Sequence, residues 1–231
     1  MSTSIRRHLF RGAIATIAFV LIPLVINPPM AQELMVDDDD SSLRDMLRRG
    51  PHFTATLTSD QTVPPVTTAE GLSGVATARL KWSRKGLKLA YSITTDMDLN
   101  AGFPQSKNIS DDVTMIHLHN APVGRMGQHV LNVYKMPAQD DDDLVLMPNK
   151  GIVRGAWDNF DTSVGLAPGP ASEPLYGFLD ELCAGDIYVN IHGFDSAARK
   201  PDTGALRGNL EPTRRGKRLC RYLFGKPDDG G

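Results

Sequence analysis

The chain lacks most of the signatures that announce a chemistry. It has 231 residues and only two cysteines, Cys183 and Cys220, with no Cys-x-x-Cys pair. It has no Gly-rich phosphate loop and no Gly-x-Ser-x-Gly elbow, so the common nucleotide-binding and serine-hydrolase signatures are missing. No internal repeat is visible beyond two Ile-His-containing strands. Neither sign of charge dominates: 25 basic and 27 acidic residues leave a net charge of -2, which excludes the chain-wide positive field that draws in nucleic acid. The apolar run at residues 12–26 is shorter than the roughly 20 residues a spanning helix needs.

What is present begins with an export pattern. Arg6, Arg7 and Arg11 precede the apolar stretch GAIATIAFVLIPLVI, and the small residue Ala31 closes it. A signal peptide over 1–31 is expected, with general secretory and twin-arginine routes both open and an uncleaved anchor as the alternative. Cleavage leaves 22 basic and 27 acidic residues, a net of -5. The expected place is periplasmic or extracellular. There, an even pair of cysteines reads first as a disulfide, Cys183–Cys220. Residues 32–50 read as a flexible acidic leader, 51–213 as one domain, and 214–231 as a basic tail tied down by that disulfide.

Within the domain, hydrophobicity alternates with a period of two. HFTATLTSD (52–60) places Phe53, Ala55 and Leu57 on one face. GVATARLKWSRKGLKLAYSITT (74–95) reads as a β-hairpin turning at Arg84, Lys85 and Gly86. VTMIHLHN, QHVLNVYKM, KGIVRGAW, DIYVNIHGF and GALRGNLEP supply further strands. Residues 96–112 read as a long loop, Asp140–Asp143 as a solvated insertion, and EPLYGFLDELCAG as one short helix capped by Ser172 and stopped by Gly185. The expected fold is all-β: an immunoglobulin-like or Greek-key β-sandwich or barrel with one short helix.

Chemistry concentrates in the histidines. Alternation puts His117 and His119 on one strand face and His192 on a face with Tyr188 and Asn190. If the two strands approach, three neutral imidazoles suit copper or zinc, with a fourth position for water or for His129. A hydrogen-bonded polar stripe, or a surface that a partner reads, would produce the same spelling. Met115 and Met126 favour Cu(I) if they lie close; otherwise methionine in a strand packs in a core.

Four stretches make the sequence recognisable: FTATLTSDQTVPPVTTAEGLSGVATARL, LKLAYSI, IHLHNAPVGRMGQHVLNV and LCAGDIYVNIHGFDSAARKPDTGALRGNL. Over roughly residues 52–212 the chain resembles the CHRD domain, the module named after chordin and found in many bacterial exported proteins. The family pattern is a Gln-x-Val-Pro-Pro-Val turn, a His-Ile-His-Gly-Pro-Ala-like strand end, and a Tyr-Val-Asn-x-His…Gly-x-x-Arg-Gly-x-Leu close. The chain departs from it at Asn120, where glycine is usual, and at Ala205-Leu206. The resemblance places His117, His119 and His192 on the family's histidine positions and Arg207 on its Arg-Gly position.

The resemblance implies an exported β-domain without an assigned reaction. In animal chordin such domains belong to an extracellular antagonist of growth factors. The expectation is therefore a non-enzymatic binding or envelope interaction module, with an unknown protein or envelope partner, no nucleic acid and no spanning helix in the mature chain unless the signal is uncleaved. The alternative is a copper- or zinc-binding periplasmic protein using the histidine site. A superoxide dismutase-like metalloenzyme is the least remote enzyme, although no second histidine–aspartate cluster is spelled. Arg207 is expected to be structural, pairing with an acid or capping backbone carbonyls.

Overall fold

A computed structural model describes residues 50–66, 71–83, 86–99, 111–135, 143–161, 173–195, 200–201 and 204–224. The chain divides into two units, Met1–Leu34 and Met35–Gly231, and every described residue belongs to the second. The signal peptide, nearly all of the leader, the Arg84-Lys85 turn and Ser172 lie outside the described residues.

The architecture is all-β, as the alternation predicts. β1 (Phe53–Thr58), β2 (Ser73–Ser83), β3 (Gly86–Thr95), β4 (Met115–Asn120), β5 (Gln128–Lys135), β6 (Val145–Met147), β7 (Ile152–Asp158), β8 (Ile187–His192) and β11 (Leu206–Asn209) form one curled antiparallel sheet. The order along it is β5-β4-β8-β11-β1-β2-β3-β7-β6. The short strands β9 (Phe194–Asp195) and β10 (Lys200–Pro201) pair with each other, and β12 (Glu211–Pro212) adds to β1. The β2–β3 hairpin is regular from Gly74↔Thr95 to Ser83↔Gly86.

The curl closes one core. Phe53 and Leu57 of β1, Leu89 and Ile93 of β3, Ile116 and Leu118 of β4, and Val189 and Ile191 of β8 belong to a single buried cluster. Full burial of such a side chain is worth about 1.5–3 kcal/mol. The described ends of the segment after β3 are less loop-like than its polarity suggests. Met97, Leu99 and Val113 are buried, and Asp98 bridges Asp112.

Among the described residues two α-helices are present, where the sequence suggests one. A 3-10 turn, Leu175–Phe178, leads into α1 (Leu179–Ala184), which Gly185 ends in the left-handed region at φ 83°. The basic tail is the larger departure: α2 spans Arg214–Phe224. Its first turn is capped by Thr213, whose hydroxyl accepts from the Gly216 amide at 3.3 Å. Gly216 lets the helix close on the domain, since a Cβ there would lie 2.0 Å from the His52 carbonyl oxygen. The Cys183–Cys220 disulfide joins α2 to α1, with Cα atoms 5.7 Å apart. Local capping and this tie hold a helix where composition alone suggests a solvated end.

The aspartate run also differs from a purely solvated insertion. Asp143 meets Lys88 at 3.0 Å and accepts from the Ala156 amide at 2.6 Å. Asp158 is the second partner of Lys88, at 3.3 Å. Asp140, Asp141 and Asp142 are outside the described residues.

Candidate metal centre

The polar site is one face of the strands β5, β4, β8 and β11. In an antiparallel ladder, directly opposed residues share a face. Cross-strand partners therefore build it row by row. His119 lies opposite His129 on one side and Tyr188 on the other. His117 lies opposite Asn132 and Asn190, and Arg207 faces Asn190. Met115 lies opposite His192. The other face of β4 gives Ile116 and Leu118 to the core.

Two irregularities in β5 make this set. The β4–β5 register shifts between Ile116 and His117 and again between Leu118 and His119, so Val133 and Val130 have no opposite residue. Strict alternation would put His129 on the face of Leu131. The extra residue at Val130 turns His129 onto the face of Asn132, which is how a bulge re-aims a side chain.

Four of the six histidines thus meet. Ring centroids are 4.1 Å apart for His117 and His129, 4.2 Å for His119 and His129, and 5.1 Å for His117 and His192. One ligating nitrogen from each of His117, His119 and His129 lies within 4.8 Å of the others. Tetrahedral ligation with bonds of about 2.0–2.1 Å asks for nitrogens about 3.3 Å apart. Closing on one ion therefore draws the rings in by roughly an ångström. The sequence-derived trio was His117, His119 and His192, with His129 as the fourth. In the structure His129 joins the tight group, and His192 stands beside His117 with its Nε2 3.1 Å from the Asn190 amide nitrogen.

The hydrogen bonds fix the useful tautomers. His119 Nδ1 is 3.1 Å from the Gly127 carbonyl oxygen. That oxygen can only accept, so Nδ1 carries the proton and Nε2 keeps the lone pair. His119 Nε2 is buried and has no hydrogen-bond partner. His129 Nδ1 is 3.3 Å from Asn132 Oδ1, which assigns the same tautomer. Burial first, then the neighbouring His129, pushes the His119 imidazole down to about 3. Burial likewise lowers His129, against a raising hydrogen bond from Asn132. Both shifts favour the neutral imidazole, the form that ligates metals.

The surroundings are ordered by Arg207. Its guanidinium donates to the backbone oxygens of Arg125 at 2.6 Å and Pro122 at 3.1 Å. Its carbon sits 3.6 Å from the Tyr188 ring centroid. Tyr188 stacks on His119 at 4.9 Å with 8° between planes, and its hydroxyl accepts from the Gly127 amide. Gly127 has to be glycine, because a Cβ there would lie 1.9 Å from the Asn120 carbonyl oxygen. Gly208 similarly lets β11 approach β1, where a Cβ would meet the Thr56 oxygen at 2.3 Å.

A cleft of about 360 Å³ opens over this face. His119, His129 and His192 line it together with Met115, Met126 and Tyr188, while His117 is buried beneath. Thr62 and Val63, from the Gln-x-Val-Pro-Pro-Val stretch, form part of the rim. Alternation put Asn190 on the face of His192, but it did not connect that turn or Asn132 with the histidines, because nothing local says which strands are neighbours.

The fold and site define an all-β module whose separated motifs converge on one histidine-lined cleft. The CHRD domain family model matches residues 53–210, and the chain belongs to that family. Comparisons with curated proteins and with solved structures return no match.

Proposed function

We propose that this CHRD domain is an exported, non-enzymatic binding module whose ligand is a copper or zinc ion, held by His117, His119 and His129 with His192 alongside. The observation that carries the reading is His119. Its Nδ1 proton is committed to a backbone carbonyl, and its Nε2 lone pair is buried without a hydrogen-bond partner. A carbonyl behind the ligating ring is the usual orientation device of a metal-bound histidine. A buried acceptor left unsatisfied costs about 1–3 kcal/mol, which ligation would recover. A role in binding rather than catalysis is supported by the cleft's hydroxyls: Thr62 Oγ1 donates to backbone oxygens, and Tyr188 accepts from Gly127, so neither meets an imidazole as a nucleophile would. Export is supported by the N-terminal sequence pattern and the disulfide. No helix among the described residues is long and apolar enough to cross a membrane.

The test is metal content by mass spectrometry on untagged protein, followed by titration with Co(II) as a spectroscopic stand-in for zinc. Stoichiometric uptake is expected in the wild type and its loss in His119→Ala and in His129→Ala. A folded wild type that takes up no copper, zinc or cobalt would sink the proposal.

A second reading, contact with an anionic envelope surface, is favoured by α2. Its 11 residues include Arg214, Arg215, Lys217, Arg218 and Arg221 and no acidic residue, and Tyr222 is 85% exposed. Salt-sensitive binding to anionic but not neutral vesicles is its test.

A further inference from the structure

We propose that the site takes copper as Cu(I), with Met115 supplying a thioether ligand inside the cleft and Met126 passing the ion in and out at its mouth. This deepens the metal reading above and rests on it.

The argument starts from where methionine is. In a strand this side chain ordinarily packs in a core. On β4 the core face is filled by Ile116 and Leu118. Met115 stands on the opposite face, two residues from His117 and directly across from His192. It is half-buried and lines the cleft with His119, His129 and His192. It is thus an apolar residue in a cleft lined largely by imidazole, amide, phenol and guanidinium, with Lys135 as its partner on β5, and its thioether adds a soft donor to the imidazoles. Thioether and imidazole together select Cu(I); zinc gains little from a thioether.

Met126 supplies the second half. It is 67% exposed and lines the same cleft. Its neighbours are anchored on both sides: the Arg125 oxygen accepts from Arg207, and Gly127 bonds both Tyr188 and His119. The backbone therefore holds an exposed thioether at the opening. A soft donor at the mouth lets Cu(I) exchange ligands stepwise with an incoming donor. Copper stays Cu(I) throughout, so no electron is gained or lost, and the partner class is a Cu(I)-carrying protein or chelate.

The experiment is anaerobic competition for Cu(I) between the full chain and bathocuproine disulfonate, with Co(II) titrations in parallel. Met115→Leu conserves volume and hydrophobicity. It is expected to weaken Cu(I) binding by about 10-fold or more while leaving Co(II) affinity within about 3-fold. Met126→Leu is expected to slow transfer to the chelator with little change in equilibrium affinity. Copper-edge X-ray absorption on selenomethionine-labelled wild type gives a readout that needs no variant: a selenium scatterer in the copper shell is expected. Unchanged Cu(I) affinity in Met115→Leu, or a copper shell of nitrogen alone, overturns the thioether assignment and leaves the histidine reading standing. Unchanged transfer in Met126→Leu overturns the role at the mouth. A wild type that binds neither Cu(I) nor Co(II) overturns both this inference and the reading beneath it.

Discussion

Replacing Arg207 with methionine is expected to destabilise the domain by about 2–4 kcal/mol, working from the contacts it makes. Three donor bonds, at 2.6 Å to Arg125, 3.1 Å to Pro122 and a long 3.4 Å to Asn209 Oδ1, are lost. Hydrogen bonds from a charged donor are worth about 1.5–3 kcal/mol each. The contact with Tyr188 at 3.6 Å goes as well, and a desolvated cation–π contact is worth about 2 kcal/mol. Two effects offset these losses. The buried guanidinium's own desolvation cost disappears with it. Pro122 and Arg125 are exposed, so water can reach the freed carbonyls. The net figure corresponds to a Tm lower by about 5–15 °C for a domain of this size. Urea unfolding of the full chain, followed by circular dichroism, measures the stability. Arg207→Lys separates charge from geometry: a single ammonium cannot reproduce the fork that reaches two carbonyls, so it is expected to recover less than half of the loss. Co(II) affinity is expected to fall about 10-fold in both variants, because Gly127, which orients His119, sits two residues from the released anchor. A methionine variant within about 0.5 kcal/mol of wild type, or a lysine variant equal to it, would refute the reasoning.

Three further outcomes follow from the same structure. Removing the disulfide as Cys183→Ser/Cys220→Ser, which opens a loop of sequence separation 37, is expected to cost about 2–4 kcal/mol and to raise hydrogen exchange in α2 above that in β3; unchanged protection of α2 would show that its cap and packing suffice. Metal-free protein is expected to lose stability as pH falls from about 6.5 toward 3, because the unfolded chain protonates His119 in that window while the folded chain holds it neutral. That loss is on the order of 4 kcal/mol, and His119→Gln should flatten the profile between those limits; an equally steep profile in the variant would contradict it. Gly127→Ala is expected to abolish tight Co(II) binding, since its Cβ would fall 1.9 Å from the Asn120 oxygen and force the Met126 loop away from His119; wild-type affinity in that variant would show that the loop does not orient the ring.

The division between sequence and structure is clear at particular residues. Period-two alternation alone gave the hairpin of β2 and β3, the core face of β1, and the shared face of His117 and His119, because side-chain direction along one strand is a local property. Gly185 announced the end of α1 in the same local way. The family motifs gave the module and its boundaries. Strand order was not legible, since which ladders form depends on packing between segments far apart in the chain. Nor was the place of His129: read by alternation it belongs with Leu131, and only the bulge at Val130 carries it to His117 and His119. The tail became α2 through a cap, a glycine against His52 and a distant cysteine. The sequence by itself determined that this is an all-β CHRD chain with histidines on alternating positions, because those are properties of residue type and period. Tertiary structure decided that three histidines, two methionines and one arginine line the same cleft with His117 buried beside them, because convergence requires non-local register, and register is set only when the sheet curls and buries its core.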